Sequence, residues 1–88
     1  MTERSVAVVN SLGLHARPAA QLVRIAAGFA AHVEIGRDGM LVNAKSIMGV
    51  MMLAAEQGSV LQVRADGPDE VAAVDAIVAL VTAGFGET

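Results

Sequence analysis

The sequence predicts an α+β domain in which three helices cover one face of a four-stranded, mostly antiparallel sheet. Three patterns predict it: short alternating apolar runs, apolar residues at helical spacing between them, and an Asp-Gly pair between two strand-like runs. The resulting order is β-α-β-β-α-β-α over residues 1–88, a single domain. Ala and Val supply most of the 55% hydrophobic content, so the core must pack small aliphatic side chains closely.

Four runs have the composition of β-strands. Residues 5–9 are rich in valine, and residues 32–37 and 60–66 alternate polar with apolar side chains. The Asp-Gly pair at 38–39 predicts a hairpin that returns along residues 40–43. The polar residues of the alternating runs are expected on the open face of the sheet: Glu34, Arg37, Gln62 and Arg64.

Three segments have helical patterns. The first has Pro18 in its first turn and Gly28 as its stop. The second begins with Ser46 as N-cap and is apolar on nearly all sides, and the third runs from residues 67–70 to Gly84. The expected core stripes are Ala19, Leu22, Val23, Ala26 and Phe29 in the first helix, and Val71, Val74, Val78 and Val81, widened by Ala73, Ile77 and Leu80, in the third.

Composition excludes several classes of function. The chain has no Cys, so thiol nucleophiles, thiolate metal sites and disulfides are excluded, and we expect no metal and no cofactor. The net charge of −3 argues against nucleic-acid binding. No secretory signal is visible at the N-terminus, and the longest apolar stretch, residues 47–55, is too short to span a bilayer. A cytoplasmic protein without membrane insertion is therefore expected.

His15 lies where the first strand gives way to the first helix, within residues 10–20. A neutral imidazole is a competent nucleophile toward phosphorus, and a helix N-terminus offers unpaired N–H groups and a partial positive charge to phosphate oxygens. Arg17, two residues on, can add a charge-assisted contact. A lone histidine near a helix start is more often a surface or capping residue, so these residues alone leave both interpretations open. His32 has no such context and is expected to face solvent.

Two motifs resemble one known family. Residues 13–19, Gly-Leu-His-Ala-Arg-Pro-Ala, resemble the active-site motif of HPr, the histidine-containing phosphocarrier of the bacterial phosphoenolpyruvate:sugar phosphotransferase system. Residues 45–51, Lys-Ser-Ile-Met-Gly-Val-Met, resemble the regulatory serine region of the same family. The resemblance spans essentially the whole chain and implies the open-faced β-sandwich of an HPr-like domain over residues 1–88.

The resemblance implies a chemical role for each matching residue. His15 would accept a phosphoryl group on Nδ1 from Enzyme I, which takes it from phosphoenolpyruvate, and would pass it to EIIA proteins or domains. Arg17 would stabilise the transferring group, and the backbone at Ala16 and Arg17 would contact it. Ser46 would be phosphorylated by HPr kinase/phosphorylase, with a catabolite-control regulator as a further partner.

A surface for these partners is expected around the second helix. Its side chains are too apolar to be buried completely in a chain of 88 residues, and exposed methionines adapt to several partners. Together with Arg17 and Arg24 of the first helix, these side chains would form an apolar patch with a cationic edge. Some family members carry lysines at positions 27, 40 and 49, where this chain has Ala, Met and Gly, so affinity would depend more on the apolar patch. The expected contact residues are Arg24, Ile47, Met48 and Met51.

The sequence allows three other interpretations. A non-catalytic regulatory member of the family is disfavoured because both His15 and Arg17 are present. A metal chaperone or ligand-binding module is disfavoured because Cys is absent and the two histidines lie far apart in the sequence. A nitrogen-branch phosphocarrier, with a mainly regulatory role, stays open because Ser46 and the Met-rich run favour the sugar branch while residues 83–87 resemble the nitrogen branch. The chain is expected to be a monomer.

Overall fold

A computed structural model of the chain describes residues 1–87, and within them the backbone forms four strands and three helices. A short 3₁₀ turn, Gly84–Gly86, follows the last helix. The strands are β1 (Thr2–Ala7), β2 (His32–Arg37), β3 (Met40–Asn43) and β4 (Val60–Asp66), and the helices are α1 (Ala16–Ala27), α2 (Ile47–Met52) and α3 (Glu70–Thr82). This order is the predicted β-α-β-β-α-β-α.

The strands form one antiparallel sheet in the order β1-β4-β2-β3. The predicted hairpin joins β2 to β3, with Arg37 paired to Met40 across the turn. Asp38 and Gly39 both have positive φ, 52° and 85°, as a two-residue turn between right-twisted strands requires. The hairpin therefore follows directly from the local sequence.

The core lies between the sheet and the helices, and it consists of small aliphatic side chains as composition predicted. Alternate residues of β2 and β4 are fully buried, and from the helices the buried set includes Leu22, Val50 and Ile77. On the other face of the sheet, Glu34 pairs with Arg64 across β2 and β4, and both are half-buried. The predicted layering, with helices on one face and polar side chains on the other, is confirmed. Among residues 1–87, no helix has the length and apolar character needed to cross a membrane.

Three details differ from the sequence-based expectations. The first strand spans Thr2–Ala7 rather than residues 5–9, because pairing with β4 extends it back to Thr2. Arg37 has the same alternation as the buried Val33 and Ile35, so it turns away from the open face; its guanidinium donates to the Ala54 carbonyl after α2 at 2.8 Å. Val71 was expected in the core stripe of α3 and is exposed instead, since the first turn of α3 lies at the rim of the fold.

Candidate phosphoryl-acceptor site

The loop from Asn10 to Leu14 is fastened to the segment that joins α2 to β4. The Leu14 amide donates to the Ala55 carbonyl at 2.8 Å, and the Gly13 amide donates to the Asn10 carbonyl at 3.1 Å, which closes a turn. Gly13 has φ of +65°, and a Cβ there would lie 2.4 Å from the Ala55 carbonyl oxygen. Only glycine combines this φ with so close a backbone approach. The start of α1 is therefore held in place by backbone contacts.

His15 is the N-cap residue of α1. Its backbone is extended, with φ −79° and ψ −170°, and its carbonyl accepts the first helical hydrogen bond from the Ala19 amide at 3.0 Å. The imidazole makes no capping bond and is 37% exposed. The amides of Ala16 and Arg17 belong to the first turn and have no intrahelical acceptor, while Pro18 has no N–H to leave unpaired. Free donors thus lie in the helix turn that follows the imidazole.

Glu87 brings a carboxylate to His15 from the opposite end of the chain. Its Oε2 and Oε1 lie 2.9 and 3.1 Å from Nε2 of the ring. Within residues 1–87, no hydrogen bond of the structure engages the other ring nitrogen, Nδ1. The pKa of Glu87 is lowered, first by the hydrogen bond from His15 and then by the one from Asn10, with the charge of Arg17 adding to both. The ring is therefore held at one nitrogen by an ionised carboxylate.

The side chain of Asn10 holds the Glu87 carboxylate in position. It is 5% exposed, and its side-chain amide donates to Oε1 of Glu87 at 3.0 Å and to the Gly13 carbonyl at 2.8 Å. One amide group thus links the loop, the carboxylate and, through the carboxylate, the imidazole. Neither Asn10 nor Glu87 was predicted as a site residue, because their role depends on contacts between distant parts of the chain.

An open cleft of about 780 Å³ lies beside the imidazole. It is lined mainly by the loop before α1 and by the segment after α3, and it includes Arg17 and Glu87. Arg17 is exposed and stands over this cleft, so its guanidinium is accessible from outside. The cleft therefore shares Glu87 with the His15 site and has the cationic side chain of Arg17 on its wall.

The second helix presents the apolar surface that its sequence predicts. Val50 is fully buried, whereas Met48 and Met52 are 74% and 67% exposed, and Ile47 and Met51 are also exposed. We call these four exposed side chains the methionine patch. Because α1 packs on α2, and the His15 loop is fastened to the chain that follows α2, the patch and the site belong to one side of the molecule. Arg24 is exposed in the last turn of α1.

Ser46 caps α2 as predicted. Its Oγ accepts a hydrogen bond from the Gly49 amide at 3.2 Å, and its carbonyl accepts from the Val50 amide at 3.0 Å. The neighbouring Lys45 ammonium donates to the Phe29 carbonyl at 2.8 Å, which ties the start of α2 to the end of α1. The hydroxyl is half-buried beside the methionine patch. His32, expected to face solvent, is exposed on β2.

Comparison with known proteins assigns this architecture to a family. The family model described as "PTS HPr component phosphorylation site" matches residues 2–83. Phosphocarrier protein HPr of Cupriavidus necator is 51% identical over 87 residues, which are 99% of this chain and 98% of the relative. Phosphocarrier protein NPr of Proteus mirabilis is 42% identical over 85 residues, 96% of this chain and 94% of the relative.

The solved structures agree. A crystal structure of HPr from Thermoanaerobacter tengcongensis superposes with a TM-score of 0.96 at 44% identity, covering 100% of this chain and 99% of that one. A structure titled as an HPr dimer from the same organism gives a TM-score of 0.79 at 45% identity, over 99% and 100% of the two chains. The chain belongs to the HPr family. Members of this family are phosphocarriers of the phosphotransferase system, and they work with its enzymes.

In this HPr-family chain, the structure brings together the residues that the sequence indicated at the N-terminus of α1. It adds Asn10 and Glu87 to them. His15 and Arg17 lie on one side with the cleft, and Ser46 lies with Ile47, Met48 and Met51 at the methionine patch. From the sequence, Gly84 indicates the end of the third helix and residues 83–87 resemble the nitrogen branch, but neither interpretation gives Glu87 a role at the site.

Gly13 provides a test of the fastened loop. Replacing Gly13 by Ala should lower the free energy of unfolding by about 2 kcal/mol or more, because the added Cβ combines an unfavourable φ with a backbone clash. Gly39→Ala is the matched control: it also has a positive φ, but no atom lies within 4 Å of the added Cβ. Chemical denaturation of both variants measures the difference. Equal losses for the two variants would contradict a close approach at Gly13.

Proposed function

We propose that the chain is a single-domain phosphocarrier that accepts a phosphoryl group on Nδ1 of His15 from phospho-Enzyme I and delivers it to EIIA proteins or domains for sugar uptake. One observation carries the proposal: a partly exposed imidazole at the N-terminus of α1 is hydrogen-bonded to Glu87 through Nε2, while no hydrogen bond from residues 1–87 engages its Nδ1. The family's general role as a phosphocarrier supports it.

The surroundings of His15 suit a phosphoryl group. Its oxygens would meet the backbone N–H groups of Ala16 and Arg17 and the positive end of the α1 dipole. The Arg17 guanidinium offers a bidentate contact to two of those oxygens. In such a transfer, positioning and charge stabilisation do most of the catalytic work, and both are present here without a side chain having to move a proton.

The partners would dock on the methionine patch and its cationic edge. Thioether side chains are flexible and polarisable, so one patch can fit the different surfaces of a donor and an acceptor in turn. Arg17 and Arg24 on α1 would pair with acidic groups of each partner and steer the encounter. A small interface of this kind forms and separates quickly, as a shuttling carrier requires. We propose that the carrier acts as a monomer in the cytoplasm, one face engaging one partner at a time.

A nitrogen-branch role is the second candidate. It is favoured by the similarity to NPr of Proteus mirabilis and by residues 83–87, Ala-Gly-Phe-Gly-Glu, which resemble the nitrogen branch. Transfer rates from the donor enzymes of the two branches, compared side by side, separate the two roles. The sugar-branch proposal expects the sugar-branch Enzyme I to be the faster donor.

The proposal is tested by phosphorylating the protein with phosphoenolpyruvate, Mg²⁺ and Enzyme I. We expect one acid-labile phosphoryl group per chain, and we expect His15→Ala to acquire none. His32→Ala is the matched control, because His32 is the other histidine of the sequence and is exposed on β2, away from the helix N-terminus. An adduct on His15→Ala would contradict the proposal.

Ser46 is proposed as a regulatory phosphorylation site for HPr kinase/phosphorylase, with a catabolite-control regulator as a partner of the phosphorylated form. A phosphate there would add nearly two negative charges beside the methionine patch, where partners that carry acidic groups would approach. The exposed apolar side chains would remain, so the effect on docking would be mainly electrostatic. The fold tolerates acceptor groups at this position because Ser46 already accepts the Gly49 amide.

Ser46→Asp should therefore fold normally and slow transfer from Enzyme I by roughly tenfold, since aspartate is also a good N-cap but adds a charge at the docking surface. Ser46→Asn is the matched control, because it keeps a capping oxygen and adds no charge. Stopped-flow or quench kinetics measure the rates, and thermal unfolding checks the fold. If both variants transfer at the wild-type rate, charge at this position does not regulate docking.

A further inference from the structure

We propose that Glu87 is a positioning residue for phosphoryl transfer, one that fixes the His15 ring with its proton on Nε2 and its lone pair on Nδ1. The inference rests on the proposed function, because it concerns the same transfer at the same histidine. It adds a residue that neither the sequence patterns nor the family motif around His15 includes.

The hydrogen-bond chemistry of the pair determines the tautomer. Both carboxylate oxygens of Glu87 lie within 3.1 Å of Nε2, and among residues 1–87 no other group hydrogen-bonds to that nitrogen. The pKa of Glu87 is lowered, and at neutral pH an ionised carboxylate can only accept hydrogen bonds. Nε2 must then be the donor. A neutral imidazole that carries its proton on Nε2 has its lone pair on Nδ1, and the ring is presented in the form that attacks phosphorus.

Asn10 keeps the carboxylate in this role. The protons of its amide point to two acceptors, Oε1 of Glu87 and the Gly13 carbonyl, so the amide cannot turn over without placing its own oxygen against them. Its Oδ1 is buried and finds no donor among residues 1–87. A buried acceptor without a partner is destabilising. The fold keeps this unpaired oxygen because the same Asn10 amide orients the Glu87 carboxylate, which in turn orients the His15 ring.

The chain after α3 delivers Glu87 by a fixed turn. Phe85 is buried, 2% exposed, and it holds a left-handed backbone with φ of 57°. The Glu87 amide donates to the Gly84 carbonyl at 2.9 Å, and the Gly86 amide donates to the Ala83 carbonyl at 3.3 Å. An anchored aromatic ring and a closed turn thus set the position of the carboxylate. Such an arrangement is typical of a supporting group that must hold its partner within a fraction of an ångström.

The proposed role of Glu87 is consistent with both steps, acceptance of the phosphoryl group by His15 and its transfer to the next protein. The Nδ1 lone pair attacks the phosphorus, the N–P bond to His15 forms, and the bond from phosphorus to the donor breaks with its electron pair staying on the donor atom. The ring then carries the phosphoryl group on Nδ1, a proton on Nε2 and a positive charge, which the carboxylate of Glu87 stabilises. In onward transfer a lone pair of the acceptor protein attacks the phosphorus and forms the new bond, while the N–P bond breaks and its electron pair returns to Nδ1. No proton enters or leaves the ring in either step.

A carboxylate has the same role in serine hydrolases, where it holds a histidine in one tautomer and stabilises the imidazolium that forms. Here the histidine is itself the nucleophile.

Within residues 1–87, the charged group that faces the His15–Glu87 pair is Arg17, whose charge also favours the carboxylate form of Glu87. Arg17 would turn to the phosphoryl group during transfer, while Glu87 stays with the ring.

The test compares Glu87→Gln with Glu3→Gln, a matched control that removes the same charge from an exposed position on β1. Two readouts are needed at one neutral pH. Nitrogen-15 NMR of labelled histidine reports which ring nitrogen of His15 carries the proton, with no partner present. Steady-state transfer from phospho-Enzyme I to each full-length chain then gives kcat and KM. Circular dichroism verifies that both variants fold.

We expect wild type and Glu3→Gln to show a protonated Nε2 and an unprotonated Nδ1. In Glu87→Gln the amide can donate as well as accept, so the two nitrogen shifts should move toward each other, and kcat should fall about tenfold with little change in KM. The proposal is overturned if Glu87→Gln keeps both the wild-type shifts and the wild-type kcat. A rise in KM alone overturns it too, since that result would make Glu87 a docking residue. Failure of wild type to accept phosphate would instead overturn the proposed function, and the partner-free NMR readout distinguishes the two.

Discussion

The close approach of the Gly13 backbone to the chain at Ala55 is the constraint on which the site depends. It leaves no room for a side chain at Gly13 and fastens the loop that begins α1 to the segment following α2. Because His15 is two residues after Gly13, the contact between Gly13 and Ala55 also fixes the position of the His15 backbone. Backbone contacts thereby hold the start of α1 against the segment that follows α2, and the side chains of Asn10 and Lys45 add further hydrogen bonds to this arrangement.

The site is built in layers around the ring. The helix N-terminus and Arg17 supply positive partial charge on the side where a phosphoryl group would sit, and Glu87 supplies negative charge at the opposite nitrogen. The His15 ring thus lies between positive charge near Nδ1 and the negative carboxylate at Nε2. This arrangement would stabilise the positive charge that the ring gains when it accepts a phosphoryl group. Asn10, which is buried, ties the acceptor to the loop. The methionine patch on α2 lies on the same side and offers contact area without requiring a fixed partner shape.

Local patterns predicted most of the fold and half of the site. Pro18 and Gly28 mark the ends of α1, Ser46 caps α2, and Asp38-Gly39 makes the hairpin, because each acts through its own backbone or its near neighbours. The His15–Glu87 contact could not be predicted in this way, since it joins residues 72 positions apart through the turn after α3. Arg37 is a different case, because its alternation with Val33 and Ile35 already puts it on the helix side and only its charge suggested the open face. The carbonyl that its guanidinium meets there, that of Ala54, is supplied by tertiary structure.

The proposed phosphocarrier role depends on one atom, Nδ1 of His15, which would carry the phosphoryl group. The most direct measurement is nitrogen-15 and phosphorus-31 NMR of the phosphorylated protein with labelled histidine, which identifies the bonded nitrogen by its coupling to phosphorus. We expect coupling to Nδ1 of His15, with Nε2 still protonated. Phosphorus bonded to Nε2 of His15, or to His32, would contradict it.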